Sequence, residues 1–177
     1  MGKFTAYKVQ LASLPEGHHE QDFVCDTAFF KNMENGDVVN CNVDVHLDLE
    51  HHRGLYDLKF TFKGLVQVPC DRCLDPIDID VDTTYNIKVE YGDDYDDASD
   101  DLLIIPAENP YLNVAYMLYD TILLSIPLRH VHPLGKCNRA MAAALNKHKV
   151  RGGEDDDTEL VDTEIGLDEA EDISTED

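Results

Sequence analysis

Val39-Asn40-Cys41-Asn42-Val43-Asp44-Val45-His46-Leu47-Asp48-Leu49 is the stretch on which the fold turns. Its odd positions are apolar or thiol, and its even positions are Asn, Asp or His. Successive side chains of an extended chain point to opposite faces, so this period of two puts Val39, Cys41, Val43, Val45, Leu47 and Leu49 on a core and their neighbours in water. A helix would scatter the same residues around its circumference.

The pattern repeats downstream. Tyr56, Leu58, Phe60, Phe62, Val66 and Val68 alternate in the same way, with Gly64 inside the run, where a bulge or bend would be tolerated. Ile77, Ile79, Val81, Tyr85, Ile87, Val89 and Tyr91 alternate a third time. Three antiparallel strands in a meander follow. Upstream, Tyr7, Val9 and Leu11 alternate as a further short strand would, ahead of a loop at Pro15-Glu16-Gly17.

Beyond the third strand, Asp93-Asp94-Tyr95-Asp96-Asp97-Ala98-Ser99-Asp100-Asp101 has neither period and reads as a solvated acidic loop. The spacing then becomes helical. Leu112, Ala115, Tyr116, Tyr119, Ile122, Leu123 and Ile126 lie on one face, behind Asn109 as N-cap and Pro110 at the first helical position, and Pro127 stops the helix. Ala140, Met141, Ala144 and Leu145 predict a second helix starting near Asn138 and ended by Gly152-Gly153. The expected fold is α+β: an antiparallel β-sheet (meander) packed against one long helix, plus a short basic helix and a disordered acidic C-terminal tail. In this reading residues 1–152 form a single domain, strand-rich over 1–92, looped over 93–101 and helical over 109–151, and residues 153–177 are the tail.

Composition supports one core and no more. The chain has 177 residues, 43% of them hydrophobic, which excludes two large domains and a wholly disordered chain. It carries 37 acidic against 14 basic residues, a formal net charge of −23. Thirteen of the acids fall between 154 and 177, where there is no Lys or Arg, so self-repulsion predicts disorder there. The five cysteines are an odd number and read as reduced thiols rather than a disulfide framework. With neither a secretory leader nor an apolar run approaching about 20 residues, the expectation is a cytoplasmic protein with no membrane partner.

Cys70-Asp71-Arg72-Cys73 lies between the second and third strand patterns, at a hairpin tip where two thiols can turn toward one point. This is half a zinc site. His132-Pro133-Leu134-Gly135-Lys136-Cys137, on a Pro/Gly turn after the long helix, offers the other half. Cys70, Cys73, His132 and Cys137 are therefore the candidate ligands of a structural zinc ion, with His130 as a substitute. The same residues also read as ordinary turn thiols beside solvated histidines. Cys25 and Cys41 read as small buried hydrophobes.

Two enzyme classes share the C-x-x-C. A zinc deaminase would match His46-Leu47-Asp48 and Pro69-Cys70-Asp71-Arg72-Cys73, but Asp48 stands where that chemistry uses Glu, and strand-like alternation follows Cys73 where that fold needs a helix. A thioredoxin-like pair needs a helix at the same place. No phosphate-binding loop, dinucleotide glycine pattern, nucleophile elbow or H-E-x-x-H is present. The chain reads as no enzyme, with no small-molecule substrate.

Residues 121–153 contain no acid, although the chain averages more than one acid in five residues. Six of the fourteen Lys and Arg lie there: Arg129, Lys136, Arg139, Lys147, Lys149 and Arg151. They are the candidate nucleic-acid contacts, since phosphate binding needs such a patch. The competing reading is a cationic surface paired with the chain's own acids.

Cys70-Asp71-Arg72-Cys73-Leu74-Asp75-Pro76 behind a β pattern, Ile122-Leu123-Leu124-Ser125-Ile126-Pro127 closing a helix, and then His132 and Cys137 together resemble the YceD-like proteins. These are the large ribosomal RNA subunit accumulation proteins of bacteria and plastids. The resemblance covers roughly residues 37–137. It implies a non-enzymatic role in 23S ribosomal RNA accumulation and large-subunit assembly, with the cysteines as the family's signature. Thr121 stands where relatives often carry Glu, and the acidic tail has no evident counterpart. The expected partners are precursor 23S rRNA or large-subunit ribosomal proteins. The alternative is a protein-only adaptor or chaperone whose acidic tail engages basic ribosomal proteins.

Overall fold

The computed structural model describes residues 3–99, 101–133 and 135–148. Its elements run β1 (Lys8–Val9), β2 (Gly17–Asp26), α1 (Thr27–Asn32), β3 (Asn40–His52), β4 (Leu55–Pro69), β5 (Pro76–Gly92), β6 (Leu102–Pro106), β7 (Leu112–Asn113), α2 (Ala115–Ser125) and α3 (Arg139–His148). The fold is α+β, with a five-stranded sheet in the order β2-β3-β4-β5-β6 and a two-stranded ribbon of β1 and β7. Strands β2 to β5 are an antiparallel meander, with Leu47 opposite Phe60 and Phe60 opposite Tyr85. β6 lies parallel to β5, so the sheet is mixed.

The three alternating stretches form the three long strands with the expected residues inward, except that Val39 precedes β3 and is exposed, its N–H held by the Gln67 carbonyl at 2.8 Å. Val43, Val45, Leu47, Leu58, Phe60, Phe62, Val66 and Val89 are almost wholly removed from water. Onto this face pack Phe29 and Phe30 of α1 and Ala115, Leu118 and Ile122 of α2. Asp26 caps α1 by accepting from the Phe29 N–H at 2.8 Å, which turns the chain out of β2 with both phenylalanines pointed at the core. The Phe30 ring meets Tyr119 at 5.5 Å, joining the two helices.

Several expectations are corrected. Asn109 and Pro110 do not open the helix. Leu112 and Asn113 pair with Val9 and Lys8 instead, and α2 begins at Ala115, whose N–H donates to the Asn113 side chain at 3.1 Å. Leu112 and Val114 are buried, so their apolar character belongs to the ribbon and the turn into the helix. α2 is therefore only 11 residues long, a modest cover rather than one long helix. The short strand expected at residues 7–11 is present as Lys8–Val9. The acidic loop is exposed, but it returns the chain so that β6 runs beside β5, with an isolated bridge between Asp96 and Ile104. Pro127 does stop α2, and α3 starts behind Asn138, whose side chain accepts from Ala140 N–H at 3.0 Å. Gly152-Gly153 and the tail lie outside the described residues. Among those described, no helix is long and apolar enough to cross a membrane.

Gly64 makes no bulge. The pairing with β3 runs unbroken through Gly64 opposite Val43, and a Cβ there would lie 2.2 Å from the Asn42 carbonyl oxygen and 2.6 Å from Val43 Cα. The glycine is required by this close backbone approach. Gly64→Ala is expected to destabilise the fold by about 1–3 kcal/mol, the usual cost of forcing atoms into a packed site. A chemical-denaturation midpoint unchanged from the parent chain would contradict this.

Candidate metal centre and the basic segment beside it

Pro69 and Pro76 pair as the last residues of β4 and the first of β5, leaving residues 70–75 as the hairpin tip. The tip is closed by two backbone bonds, Cys70 N–H to Asp75 O and Leu74 N–H to Cys70 O, both 2.9 Å. Leu74 has φ +63°, a left-handed conformation uncommon outside glycine, which finishes the turn. Its side chain is left exposed while Cys70 and Cys73 are buried. The Arg72 N–H points at Cys70 Sγ, 3.5 Å away.

The second half arrives after Pro127. Residues 128–133 pass over the hairpin tip without regular structure and are held there by Asp71. Its Oδ2 accepts from the His130 N–H at 2.8 Å, its own N–H donates to the His130 carbonyl at 3.0 Å, and its Oδ1 lies 3.3 Å from His130 Nε2. His130 Nδ1 faces the Pro127 carbonyl at 3.1 Å. Both ring nitrogens are thus engaged in fastening the segment, and His130 is not among the four converging donors.

The clamp presents His132. Its Nδ1 lies 3.4 Å from Cys73 Sγ, and its Nε2 lies 3.2 Å from the Pro76 carbonyl. A neutral ring that donates from Nε2 to that carbonyl has a free lone pair on Nδ1, aimed at the thiols. One donor atom each from Cys70, Cys73, His132 and Cys137 all lie within 4.8 Å of one another. A tetrahedral centre with metal–sulfur bonds of about 2.3 Å and metal–nitrogen bonds of about 2.1 Å has edges of about 3.6–3.8 Å, which falls within that limit. The cluster can hold a metal ion, and all four residues singled out in the sequence are in it.

Burial pushes the Cys70 thiol up, but the N–H groups of Arg72, Cys73 and His132, with the Cys73 thiol, outweigh it and bring Cys70 down to about 6. His132 is raised, first by its bond to Cys70 and then by Cys73, against the effect of burial. Cys137 is pushed up by burial and by Cys73 and Cys70. Cys25 and Cys41 are different: burial drives each up to about 12, and the Cys41 thiol donates to the Cys25 carbonyl at 3.1 Å. Both are core residues, as expected, although only Cys41 lies in an alternating run that indicated it.

The Cys70 shift fixes a pH dependence. A thiol whose folded value lies below its unfolded value contributes stability that is complete above the unfolded value of about 8.5 and is lost as pH falls through about 6. Thiolate absorbance of the metal-free chain should therefore rise with a first midpoint near 6. A single transition near the ordinary cysteine value would contradict the assignment. Asp71→Ala, which frees the segment carrying His132, is expected to weaken metal binding by about 10–100-fold, as loss of a supporting group does elsewhere. Competition with a chromophoric chelator measures it, and unchanged affinity would refute the clamp.

The deaminase reading loses its geometry here. His46 stands opposite Thr61, nine residues from Cys70 along extended backbone, or about 30 Å, and it pairs with Asp22 at 2.6 Å. Strand β5 follows the C-x-x-C, where both enzyme classes need a helix. A second grouping puts one donor atom each of the exposed His18 and Glu20 and the half-buried Asp48 within 4.8 Å of one another. Glu20 lies 3.9 Å from one ring nitrogen of His18 and Asp48 3.4 Å from the other, an arrangement of solvated side chains that shares no residue with the cysteine cluster.

Arg129, Lys136, Arg139 and Lys147 are all exposed, and among the described residues none forms an ion pair. Lys149 and Arg151 lie outside the described residues. Thr121 returns its hydroxyl to the Met117 carbonyl at 2.7 Å. Asp71 and Leu74 were invisible as functional positions in the sequence, because both act through the geometry of the turn.

A family model described as large ribosomal RNA subunit accumulation protein YceD matches residues 58–170. The match covers β4 from Leu58 onward, β5, the cysteine and histidine cluster and α3, and continues past Gly153 into the acidic segment. It thus begins later than residue 37 and ends later than residue 137, and it gives part of the tail a counterpart in the family. Neither the curated proteins nor the solved structures contain a match. Spanning more than half of the chain and the whole of the cluster, the match shows that this chain belongs to the YceD family of large ribosomal RNA subunit accumulation proteins.

Proposed function

We propose that this chain is a non-enzymatic cytoplasmic factor that supports large-subunit assembly by binding precursor 23S rRNA. In this reading Cys70, Cys73, His132 and Cys137 hold a structural zinc ion, and Arg129, Lys136, Arg139, Lys147, Lys149 and Arg151 contact phosphates. The observation that carries it is the convergence of the four donors where the acid-free segment crosses the sheet's end. Three thiolates and an imidazole favour zinc over the hard cations, and four protein donors leave no open position for catalysis. The zinc acts as a staple that presents a basic segment on an otherwise acidic protein. The net charge of −23 repels RNA at long range, so binding rests on short-range contacts and weakens steeply with salt.

Crosslinking the tagged protein in growing cells, followed by gradient fractionation and sequencing of attached RNA, tests the reading. Enrichment of 23S precursor in large-subunit particles is expected. Protein confined to the top fractions without RNA would favour the adaptor reading, in which deletion of residues 154–177 abolishes binding to a basic ribosomal protein and charge reversal at Arg139 and Lys147 changes little.

A further inference from the structure

We propose that the acidic segment 154–177 docks back onto α3 of the same chain, covering the cations of Arg139 and Lys147 and the apolar stripe of Met141 and Leu145. The consequence for RNA binding rests on the reading above; the docking does not.

α3 lacks a partner among the described residues. None of its residues is buried, and Met141 and Leu145 are 37% and 47% exposed. Four positions apart, they lie one above the other on the same face, with Ala140 and Ala144 beside them. An isolated helix of 10 residues is marginal in water, and its stability comes from something packed on its apolar face. The cations at its two ends are also unpaired within the described part of the chain.

The segment that follows has the complementary chemistry. It holds thirteen acids and no Lys or Arg, with Leu160, Val161, Ile165 and Leu167 among them. The acidic run Glu154-Asp155-Asp156-Asp157 starts six residues after His148, the last described residue. Six residues reach about 20 Å, and a ten-residue helix is about 15 Å long, so the run can return along all of α3. A tether this short gives an effective concentration in the millimolar range, enough for contacts that would be negligible between separate molecules. The family match continues to residue 170, so most of this segment belongs to the family's pattern together with α3. Because the segment and an RNA backbone are both polyanions seeking the same cations, the docked segment competes with RNA for α3.

The test uses the full chain. Hydrogen exchange of the peptide covering α3 is compared between the unmodified protein and the variant Glu154→Gln, Asp155→Asn, Asp156→Asn, Asp157→Asn, at low salt. Exchange about tenfold faster in the variant is expected, as is faster exchange of the unmodified chain near 1 M NaCl. Identical rates would overturn the proposal. Protection that disappears on dilution of the unmodified chain would assign the contact to a second copy and overturn it as well. With poly(U) RNA as probe, the variant is expected to bind about tenfold more tightly than the unmodified chain. Different exchange rates with no RNA binding by either protein would uphold the docking and remove the RNA reading instead.

Discussion

Replacing Cys70 and Cys73 together by serine is expected to abolish metal binding and to release residues 128–148, while the sheet stays folded. The two thiols supply half the donors, and the remaining His132 and Cys137 sit on a segment whose described residues form no regular structure before α3. Structural zinc contributes about 10–16 kcal/mol in small domains that are unfolded without it. Here the sheet has a core of its own, built from Phe60, Phe62, Leu47 and Leu118, that does not involve the metal. The loss should therefore be local. Native mass spectrometry under reducing conditions should show one zinc per unmodified chain and none in the double variant. Hydrogen exchange should accelerate over 128–148 and remain slow in β3 and β4. Unmodified protein that is metal-free yet equally protected over that segment would refute the staple.

The parts that could be read from the sequence are those where one physical constraint dominates. β3, β4 and β5 are buried on one face only, so their alternation is visible. β2 belongs to the same sheet but carries His19 and Gln21 at inward positions near the sheet's edge, where burial is partial, and the pattern fails. Leu102-Leu103-Ile104-Ile105 is apolar throughout, and such a run does not distinguish a strand from a buried helix. α1 has six residues, too few to show a period. The four-donor cluster was legible because thiols and imidazoles are scarce and their spacing is restrictive. The clamp was not, since an Asp within a C-x-x-C gives no sign that it will hold His130.

Phe60→Ala is expected to cost about 3–5 kcal/mol, the usual penalty for emptying a buried aromatic site, and a large share of the roughly 5–15 kcal/mol that holds a domain together. Phe60 is wholly buried on the central strand, opposite Leu47 and Tyr85, with Phe62 and Tyr85 rings 6.4 and 6.3 Å away. Neighbours pinned in a five-stranded sheet cannot collapse into the space. The midpoint of urea unfolding measures the loss, and a change below about 1 kcal/mol would contradict the packing argument. Phe60 and Cys70 lie about 33 Å apart along β4, at ten residues of extended chain. The folded fraction of Phe60→Ala should therefore keep its metal, whereas Cys70→Ser with Cys73→Ser should keep the sheet. Combining the three substitutions should add their effects to within about 0.5 kcal/mol, as independent sites do. A larger coupling would mean that the metal-stapled segment also supports the sheet, and that the core and the metal centre are one cooperative unit.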